Sequence, residues 1–335
     1  MPIENLGINL DKVIAEFGEK CQDPDVKKDF IAKTFYNPNL MNRFEIVDGV
    51  LDEIPIVNAT FDDPLAPMPD AGNITFKQDL MKVGARVIKT KPIVLATKIV
   101  PRNLLQNYLT LINKENYKRN VTDPFYVPFM DFFTNGLIDA ASESLYLKAL
   151  FKGVNNPAGT TSADLFDGYL KTIADEITAS NVTPVATGAI TSTNVIEKLQ
   201  MVYDAMGEEQ KGKKINMHVN SKIFDWVTRS YGLMTNRSVM VKDVADAALA
   251  QPLQAVPLDG TNAILYREPG LGTSQRVTST VAGNAHLGYY GKPESMDFEI
   301  QKENLTLKLI MTFKAGANFA TVDDVFQNFK VNNQN

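Results

Sequence analysis

The chain of 335 residues has one cysteine, two histidines and one tryptophan. A single thiol, Cys21, excludes an intrachain disulfide and any multi-cysteine metal centre, and it fits a reducing compartment. Asp23 and Asp25 beside it oppose thiolate formation. His218 and His286 are too few for a zinc or di-iron centre, and no His-x-x-His or Glu-x-x-His spacing occurs. The acidic pairs Asp62-Asp63 and Asp323-Asp324 lack the ligand spacing of a calcium loop. Long apolar runs are absent too: nothing approaches the ~18 residues of a membrane-spanning helix. Met1 to Asn5 lack the basic and apolar regions of a secretory signal, so none is expected. There is no Gly-x-Ser-x-Gly elbow. These absences disfavour an enzyme, and no catalytic residue, cofactor or metal is expected.

The rest of the composition is ordinary. Apolar residues make up 44% and charged residues 22%, close to the soluble globular average, and the length suits two domains or one elaborated domain. With 34 Lys+Arg against 39 Asp+Glu, the net charge of −5 counts against a dedicated nucleic-acid coat or a basic membrane-surface protein.

Two glycine motifs imitate phosphate loops and depart from them. Gly207-Glu208-Glu209-Gln210-Lys211-Gly212-Lys213-Lys214 has P-loop spacing, but Lys214 stands where a Mg²⁺-ligating Ser or Thr is needed. A helix precedes it and a strand follows, the reverse of the order that aims helix N-terminal amides at phosphate. Gly270-Leu271-Gly272-Thr273-Ser274-Gln275 follows a strand but lacks the third glycine, and the β-branched stretch after it is not helical. Both read as loops, and His218, inside the strand Ile215–Val219, reads as a structural histidine.

Organisation along the chain is more informative. A short helix is expected from Leu10 to Phe17, then a polar stretch broken by Pro24 and Pro38. Residues 46–72 carry Pro55, Pro64, Pro67 and Pro69, which reads as an extended arm that must lie on something. Residues 73–100 are β-prone, with a possible break at Lys89-Thr90-Lys91-Pro92. Lys77, Lys82, Arg86, Lys89, Lys91 and Lys98 face one acid there, Asp79. This is either a lysine-protected sheet edge or a two-armed ribbon, tipped near Lys89 and Lys91, lying across an acidic neighbour.

A helix at Arg102–Leu111 precedes a long one from about Pro128 to Lys152. Phe129, Phe133, Leu137, Ala140, Ser144, Leu147 and Phe151 recur at helical steps as one stripe. At 1.5 Å per residue it is about 37 Å long, started by Pro128 and stopped by Gly153. Gly136 in its middle costs about 1 kcal/mol of propensity, so a close backbone neighbour is expected there. Shorter elements follow: a helix from Ser162 to Ala179, one capped by Asn194, the strand Ile215–Val219, a helix ending near Gly232, and the strand Ala263–Tyr266. Leu305 to Phe313 alternates as a half-wet strand. No repeat of 20–50 residues occurs.

This order of elements resembles the major capsid proteins of tailed bacteriophages, the Hong Kong 97-type fold. Phe132-Phe133-Thr134-Asn135-Gly136-Leu137-Ile138-Asp139-Ala140-Ala141-Ser142-Glu143, continuing to Gly153, is similar to that family's spine helix. Asn194 to Leu199, then Ile215 to Asn220 and a helix to Gly232, resemble the helix–strand–helix unit of its axial domain. His286-Leu287-Gly288-Tyr289-Tyr290-Gly291 and Leu305–Phe313 resemble the return to its peripheral domain.

The resemblance implies an α+β fold in six parts. They are an N-terminal arm (1–48), extended loop and peripheral strands (49–102), peripheral domain with spine helix (103–155), axial domain (156–284), peripheral return strands (285–315) and a C-terminal segment (316–335). It implies a virion-head subunit that assembles with itself into pentamers and hexamers around double-stranded DNA, in the host cytoplasm. A scaffolding protein, a portal and decoration proteins are the expected partners. The start at Met1, without a long scaffolding segment, implies no N-terminal maturation cleavage. The six basic residues are the expected inter-subunit contacts, and Phe129, Phe133, Gly136, Leu137, Ala140 and Phe151 the expected spine-helix packing. Deleting residues 77–98 is expected to leave a folded monomer that cannot form shells. An encapsulin-type compartment is the alternative of the same fold, and a cytosolic nucleotide-dependent enzyme the alternative of another class.

Overall fold

The computed structural model describes residues 24–36, 38–61, 81–99, 129–235, 254–291, 298–303, 306–322 and 324–334. The expected helices at 10–17 and 102–111, Cys21 and Lys77 lie outside them. Near the start, two prolines open helices instead of breaking the chain: α1 spans Pro24–Phe35 and α2 Pro38–Met41. Proline's fixed φ suits a first helical turn, where its missing N–H costs nothing.

The first sheet is built around one long strand. β11 (Thr306–Phe319) pairs along one side with β10 (Phe298–Glu303) and β9 (Ala285–Tyr290), and on the other with β4 (Lys91–Ile99). β1 (Glu45–Asp48) closes it, parallel to β9. Against this sheet pack α1, the long helix α3 (Phe129–Ser144) and α4 (Tyr169–Thr178). Their core is aromatic: Phe35 stacks on Tyr289 at 4.4 Å, Phe44 on Tyr169 at 5.3 Å, and Phe319 meets Phe329 at 5.0 Å.

The second sheet runs β12-β8-β5-β7-β6. Its members are β5 (Ile215–Val219), β6 (Ala255–Pro257), β7 (Ala263–Arg267), β8 (Thr278–Val281) and β12 (Phe329–Val331). β5 is buried on both faces, and its alternation divides two environments. Ile215, Met217 and Val219 join a core with α5 (Val195–Asp204) and α7 (Ser221–Thr235). On the other face, the His218 ring lies among Phe44, Phe151 and Tyr266. The short α6 (Glu208–Lys211) leads by a turn into β5, keeping the helix-to-strand order that argues against a P-loop.

Three expectations need correction. α3 continues through a π turn, Leu145–Ala149, closed by Leu150 N–H donating to Leu145 O at 2.9 Å. The buried residues along it are Ile138, Leu145, Ala149, Leu150 and Phe151, and from Leu145 on the extra residue of the π turn shifts the helical phase. Leu137 is half-buried and Ala140 exposed; Phe129 and Phe133 are described in backbone only. Gly136 is exposed and a Cβ there would meet nothing within 4 Å. The close approaches are at Gly153, where a Cβ would lie 2.4 Å from Phe166 O, and at Gly270, 2.8 Å from both Tyr146 O and Phe151. Gly270 therefore serves close packing against the end of the long helix.

Domain membership also differs in detail from the linear division. α4 contributes Tyr169 and Ile173 to the first core although it lies within 156–284. β11 runs on past residue 315, and β12, from the C-terminal segment, completes the second sheet.

Candidate functional site

The ribbon is made by β2 (Glu53–Phe61) and β3 (Met81–Lys89), paired antiparallel from Glu53↔Lys89 to Phe61↔Met81. The proline-bearing arm is thus one of its strands. Pro55 is tolerated because β2 has no second strand neighbour among the described residues. β3 and β4 do not pair with each other, so the break at residue 90 is the ribbon's base and not its tip. Thr90 is buried; its N–H donates to Asp52 O at 2.8 Å and its hydroxyl to Val50 O at 2.9 Å. The backbone at Lys89 passes so close to β11 that a Cβ on Gly316 would lie 2.1 Å from Lys89 O.

The base is anchored to its own chain. Ile88 is fully buried against Val50 and Gly288. Arg86 Nη2 pairs with Glu176 of α4 at 2.7 Å and donates to Asn318 Oδ1 at 3.3 Å, while Asn318 Nδ2 donates to Val87 O at 2.8 Å. Burial opposes the Glu176 charge, but hydrogen bonds from Arg86 and Asn181 outweigh it and hold the carboxyl below its ordinary value. Arg86, expected at a subunit contact, is thus engaged internally. Lys89 lies 4.0 Å from Glu53, Lys91 is half-buried and Lys98 exposed; Lys82 is described in backbone only, opposite Thr60.

One ribbon face carries exposed apolar residues. In this register Pro55 and Val87, and Val57 and Ala85, share it, with Val83 and Met81 farther along β3. Val57, Met81 and Val83 are 62%, 54% and 53% exposed. The basic residues drew attention to the wrong strand pair. The signal for the right one is the period-two series Pro55, Val57, Ala59, Phe61 within the stretch read as an extended arm.

Beneath the sheet edge runs an open groove of about 800 Å³. It lies between β4, the side of α3 carrying Leu137, Ala140 and Ser144, and the loop of residues 155–165. Two residues expected to pack the long helix, Leu137 and Ala140, therefore face this groove. Its lining is mainly apolar, and its carboxylate, Asp164, is held below the ordinary value by hydrogen bonds from Thr161. Among the described residues no group of three His, Cys, Asp or Glu gathers as metal ligands. His286 is buried in β9; burial holds its pKa below the ordinary value while Glu45 pulls the other way. No described helix is long and apolar enough to cross a membrane.

No protein-family model and no curated protein matches the chain by sequence. Solved structures do match. A chain of the satellite phage P4 procapsid with its size determination (Sid) protein superposes with a TM-score of 0.53 at 12% identity, covering 91% of this chain and 96% of that one. The capsid of an empty GTA particle gives 0.47 at 14% identity with 88% of each chain covered. A virus-like particle from Pyrococcus furiosus gives 0.43 at 8% identity, covering 92% and 96%. This chain has the Hong Kong 97-type fold.

Proposed function

We propose that this chain is the major capsid protein of a tailed phage, a structural subunit that assembles into pentamers and hexamers of an icosahedral head enclosing double-stranded DNA. The observation that carries the reading is the ribbon. A two-stranded ribbon is marginal in water, and this one presents an apolar face with no partner in its own chain among the described residues. A neighbouring subunit supplies what the monomer lacks, and heterologous contacts repeated around a ring close into capsomers. Lys89, Lys91 and Lys98 then flank the contact, and a scaffolding protein, a portal and decoration proteins join it in the host cytoplasm. The net charge of −5 suits a wall that contains DNA without binding it by sequence.

The test is to shorten the ribbon without touching its base. The expected deletion of 77–98 removes Ile88 and Ile93, both buried, so it would unfold the subunit. Replacing residues 58–84 by Asn-Gly between Val57 and Ala85 instead keeps the pairing at the base and supplies a hairpin turn. Electron microscopy and light scattering of the parent chain, with its scaffold partner, should show capsomers or closed shells. The shortened chain should remain a folded subunit that forms none. Shells from the shortened chain would refute the ribbon's role, and a parent chain that stays monomeric under all conditions would refute the capsid reading. Protein cargo in place of DNA inside native particles would assign it instead to encapsulin-type compartments.

A further inference from the structure

Between the two cores lies a charged cluster shut away from water. Glu268, just after β7, is fully buried, and three side chains from three parts of the chain converge on its carboxylate. Arg43, between α2 and β1, donates from Nη1 to Oε2 at 3.0 Å; His218 of β5 meets Oε1 through Nδ1 at 2.9 Å; and the Tyr146 hydroxyl, from the π turn, donates to Oε2. Arg43 Nη1 also lies 2.8 Å from the Tyr146 oxygen and 3.1 Å from Arg267 O, with its guanidinium 5.2 Å from the centre of the Tyr266 ring. Burial, and then the Glu268 charge, push the Tyr146 hydroxyl far above its ordinary pKa, so it stays a donor.

The charge arithmetic is tight. Arg43 and Glu268 are 4% and 0% exposed and cancel one another, and the carboxylate, an acceptor only, fixes the proton of His218 on Nδ1. Removing one member of such a pair strands a charge in a medium that cannot solvate it, which costs more than the pair itself contributes. The backbone follows the same route: Glu268 N–H donates to Val219 O at 2.9 Å, and the Tyr266 hydroxyl to Asn42 O at 3.4 Å.

We propose that Glu268 is the centre of a three-way lock. It holds the N-terminal segment, the end of the long helix and the second sheet in one fixed relation, and loss of the Arg43 charge frees all three together. This does not depend on whether the chain forms a shell. The lock makes the placement of the N-terminal segment and the angle between the two halves a single coupled variable, which a mere packing contact would not.

Amide hydrogen exchange on the whole chain tests it, with Arg43→Met, Glu268→Gln, the double variant and Tyr146→Phe. Arg43→Met should lower protection by about tenfold or more at once in residues 42–48, 145–153, 215–219 and 263–268, and leave α5 and the β10–β11 pair unchanged. The double variant, with no stranded charge, should recover most of that protection. Tyr146→Phe should cause a smaller loss over the same four stretches. A loss confined to residues 42–48, or a double variant whose losses are the sum of the singles, would overturn the lock. Should Arg43→Met fail to fold, the lock requires the double variant to fold; failure of both would overturn it.

Discussion

Two glycines, one inside the long helix and one just past its end, carry opposite consequences. Gly136 is exposed and has open space where a side chain would go, so Gly136→Ala should stabilise the unassembled subunit by about 1 kcal/mol in urea unfolding. Gly153 has the carbonyls of Ala149 and Phe166 within 2.5 Å of a Cβ position, and backbone cannot step aside as a side-chain tip can. Gly153→Ala should destabilise by about 2–3 kcal/mol in the same measurement. The sequence pointed to Gly136 for the close approach because a mid-helix glycine demands a reason. Gly153 was read only as the helix stop, since what packs on it, Phe166, comes from a loop whose path periodicity does not reveal. The Glu268 lock was equally hidden: its partners lie at 43, 146 and 218, and no local pattern joins them.

Elements were legible where the information is local. The alternation of Leu305 to Phe313 and the strand Ile215–Val219 followed from period and capping alone. Pairing was not legible, and the ribbon shows why. Residues 81–99 form two strands that bend at Thr90 and diverge, one to β2 and the other to β11, a choice made by buried Ile88 and Ile93. The ribbon's anchorage predicts a pH signature. Glu176 titrates in the fold below its ordinary value of 4.5, so its stabilisation is complete above that value and lost as pH falls through the lower one. Arg86→Met removes that contribution. Parent and variant should therefore differ by about 1–2 kcal/mol at pH 7, with the gap narrowing below pH 4.5. A gap independent of pH would assign the stabilisation to packing of the arginine stem instead.

At the scale of the whole molecule, the exposed ribbon face and the groove under β4 are two apolar surfaces left open among the described residues. Val57 and Val83 are more than half exposed, so Val57→Asp with Val83→Asp should change subunit stability by less than about 0.5 kcal/mol. The same pair should abolish sedimenting particles if the ribbon face meets a neighbour; undiminished particle yield would assign assembly to other surfaces. The fold class and element order were readable because they follow from the sequence of helical and strand periods. Which surfaces are left for partners was readable only from the packed molecule.

The first sheet also dictates when the protein can become itself. Glu45 pairs with His286, and Ile99 with Leu307, so each pairing joins residues roughly 200 or more positions apart. On a ribosome, β1 and β4 emerge long before β9 and β11 exist to receive them, and closing so large a loop is slow. The ribbon's base rests on that same sheet, Ile88 against Gly288 of β9 and the Lys89 backbone against Gly316 of β11. The ribbon's apolar face is therefore set in place only once β9 and β11 have emerged, so a nascent chain that lacks them cannot present it in its final position to a finished neighbour.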